Sequence, residues 1–70
     1  MKNTSYIPDD LDERLRAYRK TRRWTLVRMA KKLGVSIGSL HSYETGKRKP
    51  SFLSAARMEQ AMPNLFQDVA

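Results

Sequence analysis

The sequence predicts an all-α fold, a compact bundle of four to five helices, on three observations. Apolar residues recur at spacings of three and four along most of the chain, and no segment shows the alternation typical of a strand. A residue able to cap a helix N-terminus precedes each apolar stripe, and glycine or proline follows the later ones. The chain has 70 residues and no cysteine, so we expect one small core without a disulfide or a cysteine-bound zinc ion.

The first half of the chain is predicted to form two helices. Asp9 or Asp10 offers an N-cap, and Asp10 with Glu13 resembles a capping box. The first helix is therefore expected over roughly residues 10–22. Thr25 offers the next N-cap. An apolar stripe with i, i+3, i+4, i+7 spacing then defines a short second helix, and it consists of Leu26, Met29, Ala30 and Leu33.

Two further helices are expected in the second half. Gly34 stands where a left-handed C-cap residue is expected. Ser36 can cap a third helix that runs to about Glu44, and Gly46 ends it. Ser51 can cap a fourth helix. The apolar face of that helix is expected to be Phe52, Ala55, Ala56, Met58, Ala61 and Met62.

By composition the chain divides into an arm, a helical domain and a C-terminal segment. Residues 1–8 are expected to form a flexible N-terminal arm, and the helical domain covers residues 9–62. Residues 63–70, which begin with a proline, form a short C-terminal helix or a dimerisation segment. Apolar residues that are hard to place either cap the end of the core or contact a second copy of the chain: Leu53, Leu65, Phe66 and Val69.

Positive charge is concentrated in the middle of the chain. Twelve of the 14 basic residues lie between Arg14 and Lys49, with Glu44 as the one acid among them, so this stretch carries +11. Residues 1–13 carry −3 and residues 50–70 carry −1. A positive field of that size is typical of a face that binds a polyanion. Together with the pattern of a helix, a glycine turn and another helix, it indicates DNA.

The residue types also exclude several classes of function. His41 is the single histidine, so no metal cluster or nucleophile–base pair can be assembled, and we expect no enzyme, metal or cofactor. No apolar run approaches the ~18–20 residues of a membrane span, and the polar N-terminus is no signal peptide, so a cytoplasmic protein is expected. Tyr18 and Trp24 are spaced as core residues on amphipathic helices, which disfavours a small-molecule pocket.

An ordered series of short motifs runs through most of the chain. It consists of Leu15, Arg16 and Arg19, then Thr25, Met29 and Ala30, then Gly34, Val35 and Ser36, then Leu40, Tyr43, Glu44, Gly46, Lys47 and Pro50. Each piece is weak alone, whereas all of them in this order and spacing are specific. Over roughly residues 11–62 the chain thus resembles the phage-repressor and Cro-like helix-turn-helix family, also called the xenobiotic-response-element type. The resemblance implies a lambda-repressor-like DNA-binding domain.

Three positions depart from the family's pattern. Leu26 stands in place of a glutamine that often holds a phosphate, and Arg23 stands in place of a common glycine. Arg28 replaces the glutamate that would complete a capping box with Thr25. A cation in the first turn of a helix is disfavoured by the helix dipole. We therefore infer that Arg28 faces a DNA phosphate, with a solvated surface position as the alternative.

In the resembling family the third helix lies in the major groove, and its N-terminal part contacts base edges. None of the residues at those positions is an arginine, glutamine or asparagine, which make bidentate contacts to bases. DNA shape is therefore expected to contribute to specificity. Ile37 alternatively packs in the core, and His41 alternatively faces solvent or a phosphate. The expected base-reading residues are Ile37, Gly38, His41 and Ser42.

Phosphate contacts are expected around both ends of the third helix. Ser36 and the backbone N–H groups of the helix that it caps suit a phosphate. A basic segment without acids follows the helix, where the family contacts the backbone across the groove. For Arg22 and Arg23, phosphate and solvent both remain open. The expected phosphate contacts are Arg28, Ser36, Thr45, Lys47, Arg48 and Lys49.

Glu44 stands alone in a stretch where a random glutamate would weaken binding to a polyanion. In the resembling family this acid pairs with the second arginine of the first helix, here Arg19. The resemblance therefore implies a partly buried structural ion pair between Arg19 and Glu44, which ties the first helix to the end of the third.

The implied function is a sequence-specific transcriptional regulator that binds double-stranded operator DNA, most simply a repressor of phage, prophage or bacterial origin. It would act as a homodimer that occludes a promoter. An antitoxin or a restriction-modification controller that represses its own operon is an alternative of the same kind. A protein-interaction module that keeps the fold without reading DNA is an alternative of another class. RNA binding is disfavoured because the sequence offers no aromatic platform or glycine-rich clamp.

Overall fold

The fold is all-α, as the sequence predicts. The computed structural model describes residues 7–66, and within that range it contains four α-helices, a short 3₁₀ turn and no strand. The helices are α1 (Leu11–Thr21), α2 (Leu26–Leu33), α3 (Ile37–Glu44) and α4 (Phe52–Ala61), and the 3₁₀ turn is Pro63–Leu65. Helix α3 packs against α1 and α2, and the 3₁₀ turn returns to α1 and α4.

Hydroxyl side chains begin three of the four helices. Thr25, Ser36 and Ser51 each accept a hydrogen bond from the backbone N–H three residues later, at 3.1, 3.0 and 3.2 Å. This geometry satisfies one of the N–H groups that a helix start leaves without a partner. Helix α1 differs from the predicted capping box, because Asp10 makes no side-chain cap and its carboxylate instead accepts from Arg14 Nε at 2.9 Å.

One core joins all the helices. Its apolar members are Leu11, Leu15, Met29, Ala30, Leu33, Leu40, Tyr43, Ala55, Met58, Met62, Leu65 and Phe66. Tyr18 and Trp24 pack against this core half-buried. The predicted apolar face of α4 is wrong at two positions, since Phe52 is 66% exposed and Ala61 is exposed. Phe52 lies in the first turn of α4, where the neighbouring helices do not cover it.

The ends of the described chain belong to the core. Pro8 is fully buried and Ile7 packs against the core, so residues 7–8 are not part of a flexible arm; the rest of the expected arm lies outside the described residues. Leu65 and Phe66 are buried within the single chain, which extends the core past residue 62. They therefore cap the core and are not available for dimer contact. Val69 lies outside the described residues.

Leu53 lies on a solvent-exposed part of α4. Its side chain is 64% exposed on α4, next to the exposed Phe52. Of the four apolar residues considered for a dimer contact, it is the one that the described part of the chain leaves open to solvent.

Left-handed backbone conformations mark the turns around α2 and α3. Gly34 ends α2 with φ of +76°, and its N–H donates to the carbonyls of Ala30 and Lys31. Gly46 follows α3 with φ of +77°. Within residues 7–66 the one non-glycine residue with positive φ is Arg23, at +57°, where the family commonly has glycine. The turn between α1 and α2 therefore imposes on Arg23 a conformation that side chains disfavour.

Candidate nucleic-acid interface

Helix α3 has one face in the core and one face in solvent. Leu40, Tyr43 and Glu44 are buried, which fixes how the helix is rotated about its axis. The opposite face consists of Ile37 and of the residues one, four, five and eight positions after it, which lie on one side of the helix. Its members are Ile37, Gly38, His41, Ser42 and Thr45; all are exposed except the half-buried Ser42.

The four expected base-reading residues thus share one accessible face, which we call the reading face. Ile37 is 47% exposed, so the alternative that it packs in the core does not hold. A Cβ atom placed on Gly38 would meet no atom within 4 Å, so no internal contact requires glycine there. The missing side chain instead leaves the backbone of α3 open to close approach from outside.

The N-terminus of α3 adjoins the reading face, since its exposed cap Ser36 directly precedes Ile37. Ser36 Oγ accepts a hydrogen bond from the Ser39 N–H at 3.0 Å, which leaves the hydroxyl proton of Ser36 able to donate to an anion. Helix N-termini carry a partial positive charge and N–H groups without partners, and both attract phosphate. This geometry suits the expected phosphate contact at Ser36.

In the free protein the Thr45 hydroxyl bonds to the end of α3. Its hydroxyl donates to the carbonyls of His41 and Ser42, at 2.9 and 3.3 Å. A hydroxyl has one proton, and phosphate oxygens only accept. The Thr45 side chain therefore closes the end of α3, and its proton is already used within the protein.

The basic loop Lys47–Lys49 is held against α3 by its backbone. The N–H groups of Lys47 and Arg48 both donate to the carbonyl of Ser42. Arg48 also reaches back along α3, since its Nη2 donates to Ser39 Oγ at 3.3 Å and its guanidinium lies 5.5 Å from the Tyr43 ring centroid. Lys49 Nζ lies 3.9 Å from the Asp9 carboxylate, in an exposed pair of the kind that contributes little to stability.

The buried acid at the end of α3 is tied to α1. Arg19 donates to both carboxylate oxygens of Glu44, at 2.9 and 3.0 Å, and the Glu44 side chain is 4% exposed. These hydrogen bonds raise the pKa of the Arg19 guanidinium above its ordinary value. Arg16 adds a hydrogen bond from Nη1 to the Glu44 carbonyl, a role that the sequence motif did not reveal.

Arg28 is exposed near the N-terminus of α2. Its backbone N–H donates to the Thr25 cap, and its guanidinium lies 5.9 Å from the Trp24 ring centroid. Leu26, in place of the family's glutamine, packs against the core and offers no polar group to DNA. Cations around the start of α2 are thus the groups able to contact a phosphate there.

Comparison with known proteins agrees with this geometry. A family model described as a helix-turn-helix domain matches residues 10–61, most of the chain. The chain belongs to the helix-turn-helix family. This match is consistent with the resemblance to Cro-like and phage-repressor domains. No curated protein and no solved structure matches the chain.

Membership in this family indicates a DNA-binding regulator and a domain type that is not usually enzymatic. In a helix-turn-helix domain α2 and α3 are the two motif helices, joined here by the turn at Gly34. No helix within residues 7–66 is long and apolar enough to cross a membrane. Within the same residues, no three histidine or acidic side chains converge as metal ligands.

Proposed function

We propose that this helix-turn-helix protein is a sequence-specific repressor of transcription that binds double-stranded operator DNA. In this proposal it acts in the bacterial cytoplasm and is of phage, prophage or bacterial origin. The observation that carries the proposal is the division of α3 into a buried face and an open reading face. The buried face fixes the rotation of α3 about its axis, while the side chains of the reading face do not pack in the core. A basic loop and a capped helix N-terminus flank it.

Base recognition falls to the reading face in this proposal. With α3 in the major groove, Ile37 packs on a thymine methyl group and Gly38 allows close approach of the backbone. His41 donates to a guanine acceptor, and Ser42 bonds a neighbouring base edge. Side chains this short give few bidentate contacts, so the deformability and groove width of the operator add to specificity.

Phosphate contacts fix the position of α3 in the groove. Ser36 and the N-terminus of α3 bind one phosphate, and Lys47 and Arg48 bind the backbone across the groove. Lys49 adds to these contacts once DNA displaces its exposed pairing with Asp9. These groups donate hydrogen bonds to phosphate oxygens, which are the same in every DNA sequence. The contacts therefore set the affinity for DNA and its salt dependence.

Repression follows from occlusion by a homodimer on a two-fold operator. Two half-sites one helical turn apart would place two copies of α3 in successive major grooves. The exposed neighbours Phe52 and Leu53, 66% and 64% accessible, support a contact between copies through the start of α4. A small apolar contact of this kind favours a weak dimer that DNA strengthens.

A protein-interaction module is the second candidate, and the position of Leu26 favours it. Leu26 packs on the core where the family's glutamine often holds a phosphate. The reading face also lacks arginine, glutamine and asparagine. Such a module would bind DNA weakly and without regard to sequence. An antitoxin or restriction-modification controller, by contrast, would share the operator binding of the first proposal.

Selection from a random duplex library at ~150 mM salt tests the proposal, because non-specific binding is weak at that salt. A two-fold symmetric consensus would support a dimeric operator-binding regulator. Enrichment of a single asymmetric half-site would retain the regulator and remove the dimer. No enrichment, with affinity that only declines as salt rises, would overturn specific regulation and favour the interaction module.

A further inference from the structure

The Arg48 side chain runs back along α3 from the basic loop. Its backbone N–H donates to the Ser42 carbonyl at 3.3 Å. Its Nη2 donates to Ser39 Oγ, also at 3.3 Å, and its guanidinium carbon lies 5.5 Å from the centroid of the Tyr43 ring. Contacts with three residues of one helix thus fix the direction that this long side chain takes.

These contacts place the guanidinium beside the reading face. Ser39 precedes Ser42 by three residues and Tyr43 by four, so the three side chains lie along one flank of α3. Ser42 is also a member of the reading face. The flank that Arg48 covers therefore adjoins the reading face along Ser42. When α3 enters the major groove with its reading face, Arg48 lies at the edge of that groove.

The charge of Arg48 is held in place without being neutralised. Its side-chain partners are a hydroxyl and an aromatic ring, and no carboxylate lies within 4.0 Å of it in residues 7–66. The lysines of the basic loop differ from it. Lys49 pairs with Asp9, and the Lys47 side chain makes no hydrogen bond or ion pair in the same part of the chain. Because a guanidinium has five N–H donors, the bond to Ser39 leaves others able to bind a phosphate.

We propose that Ser39 and Tyr43 are positioning residues for Arg48, which hold its guanidinium ready for a DNA phosphate at the edge of the reading face. This inference rests on the proposed DNA binding and adds two residues that act on DNA through a third. An arginine side chain that is already ordered loses less conformational freedom on binding, so the same phosphate contact gives a higher affinity. Arginine suits this role better than lysine, because its planar group can contact a hydroxyl, a ring and a phosphate at once.

A double-mutant cycle with a random-sequence duplex of about 20 base pairs tests the positioning role. Ser39→Ala is expected to weaken binding about threefold and to leave the slope of log K against log salt unchanged, because the phosphate contact itself remains. Arg48→Ala removes that contact and is expected to lower the slope by about 0.9. In the Arg48→Ala background, Ser39→Ala should have no further effect on affinity, since the side chain that Ser39 orders is gone.

Ser54→Ala is the matched control for Ser39→Ala. Ser54 stands in α4 where Ser39 stands in α3, three residues after a serine cap to which its backbone N–H donates, and both residues are half-buried. In the described part of the chain no arginine donates to the Ser54 hydroxyl. Ser54→Ala is therefore expected to bind the duplex with wild-type affinity. Far-UV circular dichroism at the temperature of the binding assay checks that every variant is folded.

The order of the Arg48 side chain can also be measured without DNA. The heteronuclear NOE of the Arg48 Nε–H group in the free protein is expected to fall in Ser39→Ala and to stay unchanged in Ser54→Ala. Tyr43→Phe, which keeps the aromatic face, should retain both the NOE and the affinity, whereas folded Tyr43→Leu should lower both. An NOE that Ser39→Ala and Tyr43→Leu leave unchanged would show that neither residue orders Arg48.

The outcomes separate this inference from the proposed function. Wild-type protein that binds no duplex at ~50 mM salt would overturn both. Duplex binding that Arg48→Ala leaves unchanged in affinity and slope would overturn the inference alone, since Arg48 would then contact no phosphate. An equal loss from Ser39→Ala in the wild-type and Arg48→Ala backgrounds would also overturn it, because Ser39 would then act independently of Arg48. So would equal affinities of Ser39→Ala and Ser54→Ala.

Discussion

Arg19 and Glu44 join α1 to the end of α3 through two hydrogen bonds, which connect both carboxylate oxygens to the guanidinium at 2.9 and 3.0 Å. The same guanidinium also donates to the carbonyl of Trp24, in the turn before α2. One side chain therefore fixes three segments relative to each other. Because Glu44 lies on the buried face of α3, this contact helps to set the orientation of the reading face on the opposite side.

Removing the charge of Glu44 is expected to destabilise the domain. Glu44→Gln leaves the Arg19 guanidinium partly buried without a counter-charge, and we expect a loss of about 3 kcal/mol in the free energy of unfolding. Urea denaturation followed by circular dichroism measures it. Glu59→Gln, which makes the same charge change on α4 away from any ion pair in residues 7–66, should change stability by less than ~0.5 kcal/mol. Equal stabilities of the two variants would contradict the structural role of the pair.

Titration of Arg19 in the Arg19–Glu44 pair should not make the stability of the domain depend on pH near neutrality. The hydrogen bonds to Glu44 raise the pKa of Arg19 above its already high ordinary value. A raised pKa contributes stability that is fully present below the ordinary value and is lost only as pH rises through the raised one. Both lie far above neutral pH. Between about pH 6 and 9 the stability difference between wild type and Glu44→Gln is therefore expected to stay constant, and a difference that changes over this range would contradict this assignment.

At position 38, stability of the fold favours alanine, whereas DNA binding favours the glycine that is present. The open space around its Cβ position means that Gly38→Ala causes no clash. Alanine is favoured over glycine by about 0.5–1 kcal/mol in a helix interior, which is the upper limit for Gly38 in the first turn of α3. We expect this variant to unfold at a higher temperature and to bind the selected operator more weakly, because the added methyl group keeps the α3 backbone from the DNA. Gly34→Ala is the control, since its φ of +76° makes alanine destabilising there. Unchanged operator affinity of Gly38→Ala would place the close approach elsewhere.

The sequence predicts the helices well because its caps and apolar stripes are local signals. Thr25, Ser36 and Ser51 cap helices where expected, and the reading face of α3 follows from the spacing of the buried Leu40 and Tyr43. Apart from the local capping box expected at Asp10, which does not form, the errors concern burial that depends on distant segments. Whether an apolar residue such as Phe52 is covered depends on the tertiary position of helix ends, which periodicity does not encode. For the same reason the sequence left two alternatives open for Leu65, which the structure places in the core.

The same limit applies to the candidate interface. Residue types identified the cations, but the convergence of Arg22, Arg28 and Lys32 on Trp24 depends on the turn between α1 and α2. The donation of the Thr45 hydroxyl to helix carbonyls is likewise invisible in the sequence. One clue was present, since replacement of the family's common glycine by Arg23 marked a turn with unusual backbone geometry.

The turn between α1 and α2 holds Arg23 in a strained backbone conformation. Arg23 has φ of +57°, a left-handed conformation that costs a side chain ~1 kcal/mol or more. Arg23→Gly should remove this cost and raise the free energy of unfolding by up to about 1 kcal/mol. Arg23→Ala removes the same charge but keeps the strain, so it controls for relief of charge repulsion. If both variants were stabilised equally in thermal denaturation, charge and not backbone conformation would be the cause.

Substitutions in the interface should divide into two classes according to what each residue contacts. Lys47→Ala and Arg48→Ala should weaken binding to all duplexes alike and lower the salt slope by about one unit each, because phosphates are common to every sequence. His41→Ala and Ser42→Ala should leave the slope nearly unchanged and alter relative affinities by ~1–3 kcal/mol at one base pair. Fluorescence anisotropy with the selected operator and its single-base variants, at three or more salt concentrations, measures both quantities. A sequence-dependent effect of Lys47→Ala with a uniform effect of His41→Ala would reverse the two classes and require α3 to lie differently in the groove.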